Sequence, residues 1–238
     1  MENYNNRWDV SSIDYIGAPA YAKLFRNVFI WMALALAVTG LTASYVANYL
    51  MLHPDMFSSG LMIGLCIAEL AIVFILSARI NKMSFTTAGI MFAIYSVLNG
   101  ATLSVLFLAY TMASIATAFF VTAGTFAVMA VIGTTTKLDL TKFGSIFMMA
   151  LVGLIIATVV NIFWANSTLY WVITYVGVIL FVGLTAYDAQ KIKQMLQMYG
   201  TEENETTQKI ALMGSLSLYL DFINLFIYLL RILGTRRD

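Results

Sequence analysis

The chain has 238 residues, 61% hydrophobic and only 11% charged, with a net charge of +1 and a mean hydropathy of +0.86. About a quarter of an ordinary soluble domain is charged, so this composition excludes a soluble globular fold. The balanced charge leaves no basic face for nucleic acid, and the one cysteine, Cys66, excludes an intrachain disulfide framework.

In chain order, residues 1–22 read as a polar tail, with Asn3, Tyr4, Asn5, Asn6, Arg7, Trp8 and Asp9 at its start. No basic segment followed by a cleavable apolar core is present, so the first membrane helix is expected to direct insertion itself. Residues 23–238 read as one transmembrane domain. Seven apolar stretches reach the roughly 20 residues needed to span a bilayer: 25–45, 57–78, 86–107, 113–132, 143–163, 169–187 and 210–233. Both prolines, Pro19 and Pro54, fall outside them. The predicted fold is therefore all-α, an integral membrane bundle of seven helices. The connections are short except for 190–208, which carries Lys191, Lys193, Glu202, Glu203 and Glu205 and reads as a solvated loop.

Charge placement predicts orientation. Arg7, Lys23 and Arg26 precede or open helix 1, Arg79 and Lys82 follow helix 2, and Lys137 and Lys142 follow helix 4. Lys191, Lys193 and Lys209 sit between helices 6 and 7, whereas the turns after helices 1, 3 and 5 hold no Lys or Arg. By the positive-inside rule the N-terminus is cytoplasmic, and Trp164, Tyr170 and Trp171 belong to the outer aromatic belt. Arg231, Arg236 and Arg237 oppose this rule at the end of helix 7. Seven full crossings remain the expectation, since a short C-terminal tail weighs little once earlier helices are set.

Asp221 is the most informative residue. It lies deep in the last apolar run, where a carboxylate costs about 2.5–3.5 kcal/mol and marks a functional site by default. Ser217, Asp221, Asn224, Tyr228 and Arg231 follow helical spacing and form one polar stripe. Glu69 lies inside helix 2, either as a protonated carboxyl bonded between helices or as part of a polar pathway. Arg79 ends the same helix, about 15 Å along the axis from Glu69, too far to pair with it. Asp188 closes helix 6 at the height of Arg79, so an Arg79–Asp188 contact is expected. Asp221 would reach Asp188 only if helix 7 starts late or helix 6 sinks deeper. Plain alternatives stand beside these: Arg79 as an interface anchor, Asp188 as an ordinary helix end, and Asn99, Thr102, Thr158 and Asn161 as interhelical glue. His53 is the only histidine, so an intramembrane zinc hydrolase lacks its ligands. No nucleophile–base pair and no phosphate loop occur either, so the chain does not read as an enzyme. Asn204-Glu205-Thr206 fits the glycosylation pattern but falls on the cytoplasmic side.

Two segments, 183–192 (GLTAYDAQKI) and 217–226 (SLYLDFINLF), closely resemble the ends of helices 6 and 7 in the Bax inhibitor-1 family. Residues 68–70 (AEL) and 77–80 (SARI) are similar to helix 2 of its bacterial branch. The resemblance runs from Lys23 onward and leaves out the polar tail. It implies a bundle whose last helix is surrounded by the other six, in the inner membrane of a bacterium. It implies a pH-sensitive calcium leak in which Asp188 and Asp221 share a proton, with Arg79 as a latch. Ser217 and Asn224 of the polar stripe and Glu69 are the further candidates for polar groups along such a pathway. Two carboxylates in contact cannot both ionise cheaply, so such a pair titrates as a unit. When ionised they could attract Ca²⁺, a transported ion rather than a cofactor, since two carboxylates alone make a weak site. The implied partners are the lipid bilayer, Ca²⁺ and protons. A non-transporting regulator of other membrane proteins, acting through the tail or the 190–208 loop, is the second reading.

Overall fold

The computed structural model describes residues 10–56, 58–199 and 204–237. Residues 1–9 of the expected tail, with Arg7, and Glu202 and Glu203 of the expected loop lie outside them. Among the described residues seven α-helices follow one another: α1 (Val10–Leu52), α2 (Ser59–Arg79), α3 (Phe85–Ala109), α4 (Met112–Thr135), α5 (Gly144–Trp164), α6 (Ser167–Tyr199) and α7 (Glu205–Leu233). Each is long and apolar enough to cross a membrane.

Local chemistry sets the helix starts. The Ser58, Ser84 and Thr111 hydroxyls accept from the backbone N–H groups of Leu61, Thr87 and Ser114, satisfying donors that the first turn leaves open. Asn204 and Thr207 cap each other reciprocally at the start of α7. Asp139 precedes α5 and accepts from both the hydroxyl and the backbone N–H of Thr141, which hold its carboxyl below the usual range. At the far end of α5, Ala165 takes a left-handed conformation at φ 46°. The Asn161 side chain accepts from Asn166 N there, so Asn161 caps its own helix instead of bridging to another.

α1, α6 and α7 exceed their predicted spans. Apolarity marks only the part of a helix that lies in the hydrocarbon layer, and polar turns continue the same backbone bonding beyond it. The 190–208 segment is thus mostly helix, with only 200–204 between α6 and α7. The Gln190 side chain joins α6 to the α4–α5 turn, donating to Leu138 O at 2.8 Å and accepting from Leu140 N at 2.7 Å. Lys193 Nζ donates to Thr134 O at 2.7 Å, a cation at the C-terminal end of α4. Glu205 accepts from Phe85 N at 3.1 Å and tethers the α6–α7 hairpin to the start of α3.

The last helix is the central one. In α7, 67% of the apolar window is buried, against 6% in α2 and in α5. It packs on α1, α3, α4 and α6, with α5 against it through Leu154, Leu225 and Tyr228. Gly133 lets α4 meet α6 so closely that a Cβ there would stand 2.1 Å from Ala186 O. At 29 residues, α7 is long and apolar enough for a full crossing. Past its end, Arg237 N donates to Ala109 O at 2.9 Å, Thr111 N to Thr235 O at 3.2 Å, and Thr235 N to Ser114 Oγ at 2.9 Å. The C-terminal segment is therefore pinned to the α3–α4 turn. Arg231 lies over the Tyr170 and Tyr228 rings, 5.4 and 5.2 Å from their centroids.

Candidate functional site

Length changes in α6 and α7 resolve the depth of the two aspartates. Asp188 does not close α6, which runs on to Tyr199, about 16 Å further by the helical rise. α7 begins at Glu205, so Ser217 lies about 18 Å along it and Asp221 about 24 Å. With only 200–204 between the two helices, Ser217 stands level with Asp188, and Asp221 roughly one turn deeper. The Ser217 hydroxyl donates to Asp188 Oδ2.

Both aspartates open into one cavity of about 530 Å³ between α5, α6 and α7. Its polar wall is Thr158, Asp188, Lys191, Ser217, Asp221, Asn224 and Tyr228, and its apolar wall includes Phe147, Leu151, Leu154 and Phe181. At about 30 Å³ per water in the liquid, that space admits an ion with water around it. The polar stripe read from α7 is real: its first four members line the cavity, and Arg231 stacks on the fourth, Tyr228.

Within the cavity the two carboxyl groups differ. Asp188 is half-buried and accepts from Ser217. Asp221 is only 5% exposed, and its Oδ2 is buried with no hydrogen-bond partner. Each carboxyl lies within electrostatic reach of the other. Such an oxygen needs a proton, a cation or water. Asn224, one turn further along α7, directs an Nδ2 hydrogen to Leu220 O at 2.8 Å and makes no hydrogen bond to that oxygen.

Arg79 does not join this group. It is exposed at the end of α2, away from the cavity lining, and makes no ion pair with Asp188 or Asp221 among the described residues. The expected Arg79–Asp188 contact is corrected accordingly: α2 packs on α3, while Asp188 faces α5 and α7. The cation in the cavity wall is Lys191, whose Nζ lies 5.7 Å from the Tyr187 ring centroid and whose charge is felt at Asp188. The expected solvated loop includes Lys191, although its spacing of three from Asp188 places both on one helix face.

Glu69 stands apart from the aspartates, between α2 and α3, hydrogen-bonded to Asn99 and Thr102. The expectation of Asn99 and Thr102 as interhelical bonds is met. Thr158 instead donates to Leu154 O within α5, at the cavity wall. No cluster of three or more His, Cys, Asp or Glu that could hold a metal occurs among the described residues.

Comparison with known proteins agrees with this architecture. The family described as inhibitor of apoptosis-promoting Bax1 matches residues 21–238. The chain is similar to the inner membrane protein YbhL of Escherichia coli K12, 47% identical over 212 residues that cover 89% of this chain and 91% of that one. It is 42% identical over 217 residues to an uncharacterized protein of Borreliella burgdorferi, covering 91% and 93% of the two chains. Protein RP147 of Rickettsia prowazekii is 42% identical over 216 residues, covering 91% of each. With seven membrane-length helices and a match over nearly its whole length, the chain belongs to the Bax inhibitor-1 family of multi-pass membrane proteins.

Proposed function

We propose that the protein is a pH-regulated leak for cations, with Ca²⁺ as the transported ion, and that Asp188 and Asp221 form its proton-controlled element. The observation that carries this reading is Asp221 Oδ2, buried and unpartnered at the wall of a cavity that also holds Asp188. An anionic oxygen without a donor attracts a proton or a hard cation. Like charges so close hold one proton between them as a unit. A site of two carboxylates releases Ca²⁺ readily, which suits passage better than storage. Lys191 takes the place expected of Arg79, as the cation that favours the ionised pair.

The orientation we propose puts the N-terminus, the α2–α3, α4–α5 and α6–α7 turns and their lysines in the cytoplasm of a bacterium, with the membrane of residence the inner one. The cavity reaches Gly144 and Lys191 at that end and Tyr228, under Arg231, toward the other. Opening would require the Tyr170–Arg231–Tyr228 stack to move.

Ca²⁺ uptake into liposomes holding the purified protein tests the reading. Uptake above that of empty liposomes, reduced several-fold by Asp221→Ala, is the expected result. Wild-type protein that is folded and inserted but passes no cation supports the regulator instead, with membrane proteins as its partners.

A further inference from the structure

α7 carries a second polar group on its opposite face. Tyr219 lies two residues from both Ser217 and Asp221, so about 200° around the helix from each. Its ring is fully buried, edge-on to Phe92 and Tyr95. Its hydroxyl stands 2.7 Å from Thr39 Oγ1 of α1 and 3.0 Å from Asn99 Oδ1 of α3. Thr39 Oγ1 is also 3.0 Å from Ser96 O. Asn99 Nδ2 stands 3.2 Å from Glu69 Oε2 of α2, and Thr102 donates to Glu69 Oε1. Five polar links thus run in a line through four helices.

The hydrogens along this line can be counted. A carbonyl only accepts, so Thr39 gives its one hydrogen to Ser96 O. The Thr39–Tyr219 link, at 2.7 Å, is the shorter of the two that Tyr219 makes and then takes its one hydrogen. None is then left for Asn99 Oδ1 at 3.0 Å; if Tyr219 donates to Asn99 instead, Thr39 must donate to Tyr219 and Ser96 O goes without, so one link stays empty either way. The two ends of an amide have the same shape, and the surrounding bonds decide which is oxygen. Turned over, Asn99 donates to Tyr219 and presents its oxygen to Glu69. That link has a hydrogen only if Glu69 carries one. An ionised Glu69 leaves four hydrogens for five links in either orientation, while the acid supplies the fifth.

The surroundings favour the acid. α2 packs against α3, and the titratable groups facing Glu69 are Tyr95 of α3 and Tyr219 of α7. Among the described residues no Lys, Arg or His forms an ion pair with it. An isolated carboxylate between membrane helices has no cation to offset its charge.

We propose that Glu69 is a proton-binding site separate from the aspartate pair. As the acid it donates to Asn99 and completes a line of hydrogen bonds through Tyr219 to Thr39, which ties α1, α2 and α3 to the central helix. Release of the proton leaves one link empty and loosens Tyr219, which shares α7 with Asp221. The assignment does not depend on transport.

Infrared spectroscopy of the full chain in lipid at neutral pH tests it. The wild-type minus Glu69→Gln difference spectrum should contain the C=O band of one protonated carboxyl group, and the variant should keep the wild-type melting temperature. Glutamine supplies the same donor and acceptor as the acid. Tyr219→Phe should shift that band, because the line is cut beyond Asn99. A difference spectrum with a carboxylate band in place of the acid band overturns the proposal. So does a Glu69→Gln protein that fails to fold, since the amide would then not be equivalent to the group it replaces.

Discussion

At the scale of residues, the site rests on one buried oxygen and the cation near it. Lys191 lines the cavity with both aspartates, whereas Arg79 is exposed at the end of another helix. A nearby positive charge favours ionised carboxylates, so its removal favours the protonated pair. Lys191→Met should therefore move the pH response of flux toward higher pH, and Arg79→Ala should leave it in place. Flux titrations on the two variants check this, and the opposite pattern would restore Arg79 as the latch. Asp221 was legible from sequence because a charge deep in an apolar run has few explanations, and its polar stripe followed from helical spacing alone. Tyr219 was not legible. Its importance depends on Thr39 and Asn99 from two other helices, and nothing local distinguishes it from a core tyrosine.

At the scale of elements, close approach between helices positions the carboxylates. A Cβ at Gly133 would stand 2.1 Å from the backbone oxygen of Ala186, in the helix that carries Asp188. Backbone cannot move aside as a side chain can, so Gly133→Ala should push α4 and α6 apart and cost about 1–3 kcal/mol. Gly124 lies in the same helix with nothing within 4 Å of its would-be Cβ. Gly124→Ala should be neutral or stabilising by up to about 1 kcal/mol, from helix propensity. Melting curves in detergent should separate the two variants, and equal melting temperatures would contradict this account of α4–α6 packing. Apolar runs located all seven helices because transfer into lipid selects them strongly. The same signal misplaced the ends of α6 and α7, since turns beyond the hydrocarbon layer are helical without being apolar. That error alone made Asp188 and Asp221 look too far apart.

At the scale of the whole molecule, α7 runs the full length of the bundle, and its C-terminal segment bonds to the α3–α4 turn. In a Cys66→Ala background, cysteine at Lys137 should react with an impermeant reagent only after the inner face is opened, and cysteine at Asp55 should react in intact cells. The reverse pattern would invert the proposed orientation. The central claim is that Asp188 and Asp221 act on flux as one proton-binding unit. Ca²⁺ flux in liposomes, followed from about pH 5 to 8 for wild type, Asp188→Asn, Asp221→Asn and the double variant, tests it most directly. Wild-type flux should depend on pH, each single change should remove most of that dependence, and the double variant should add little to either. Flux that is flat with pH in the wild type, or two partial effects that add, would contradict the claim.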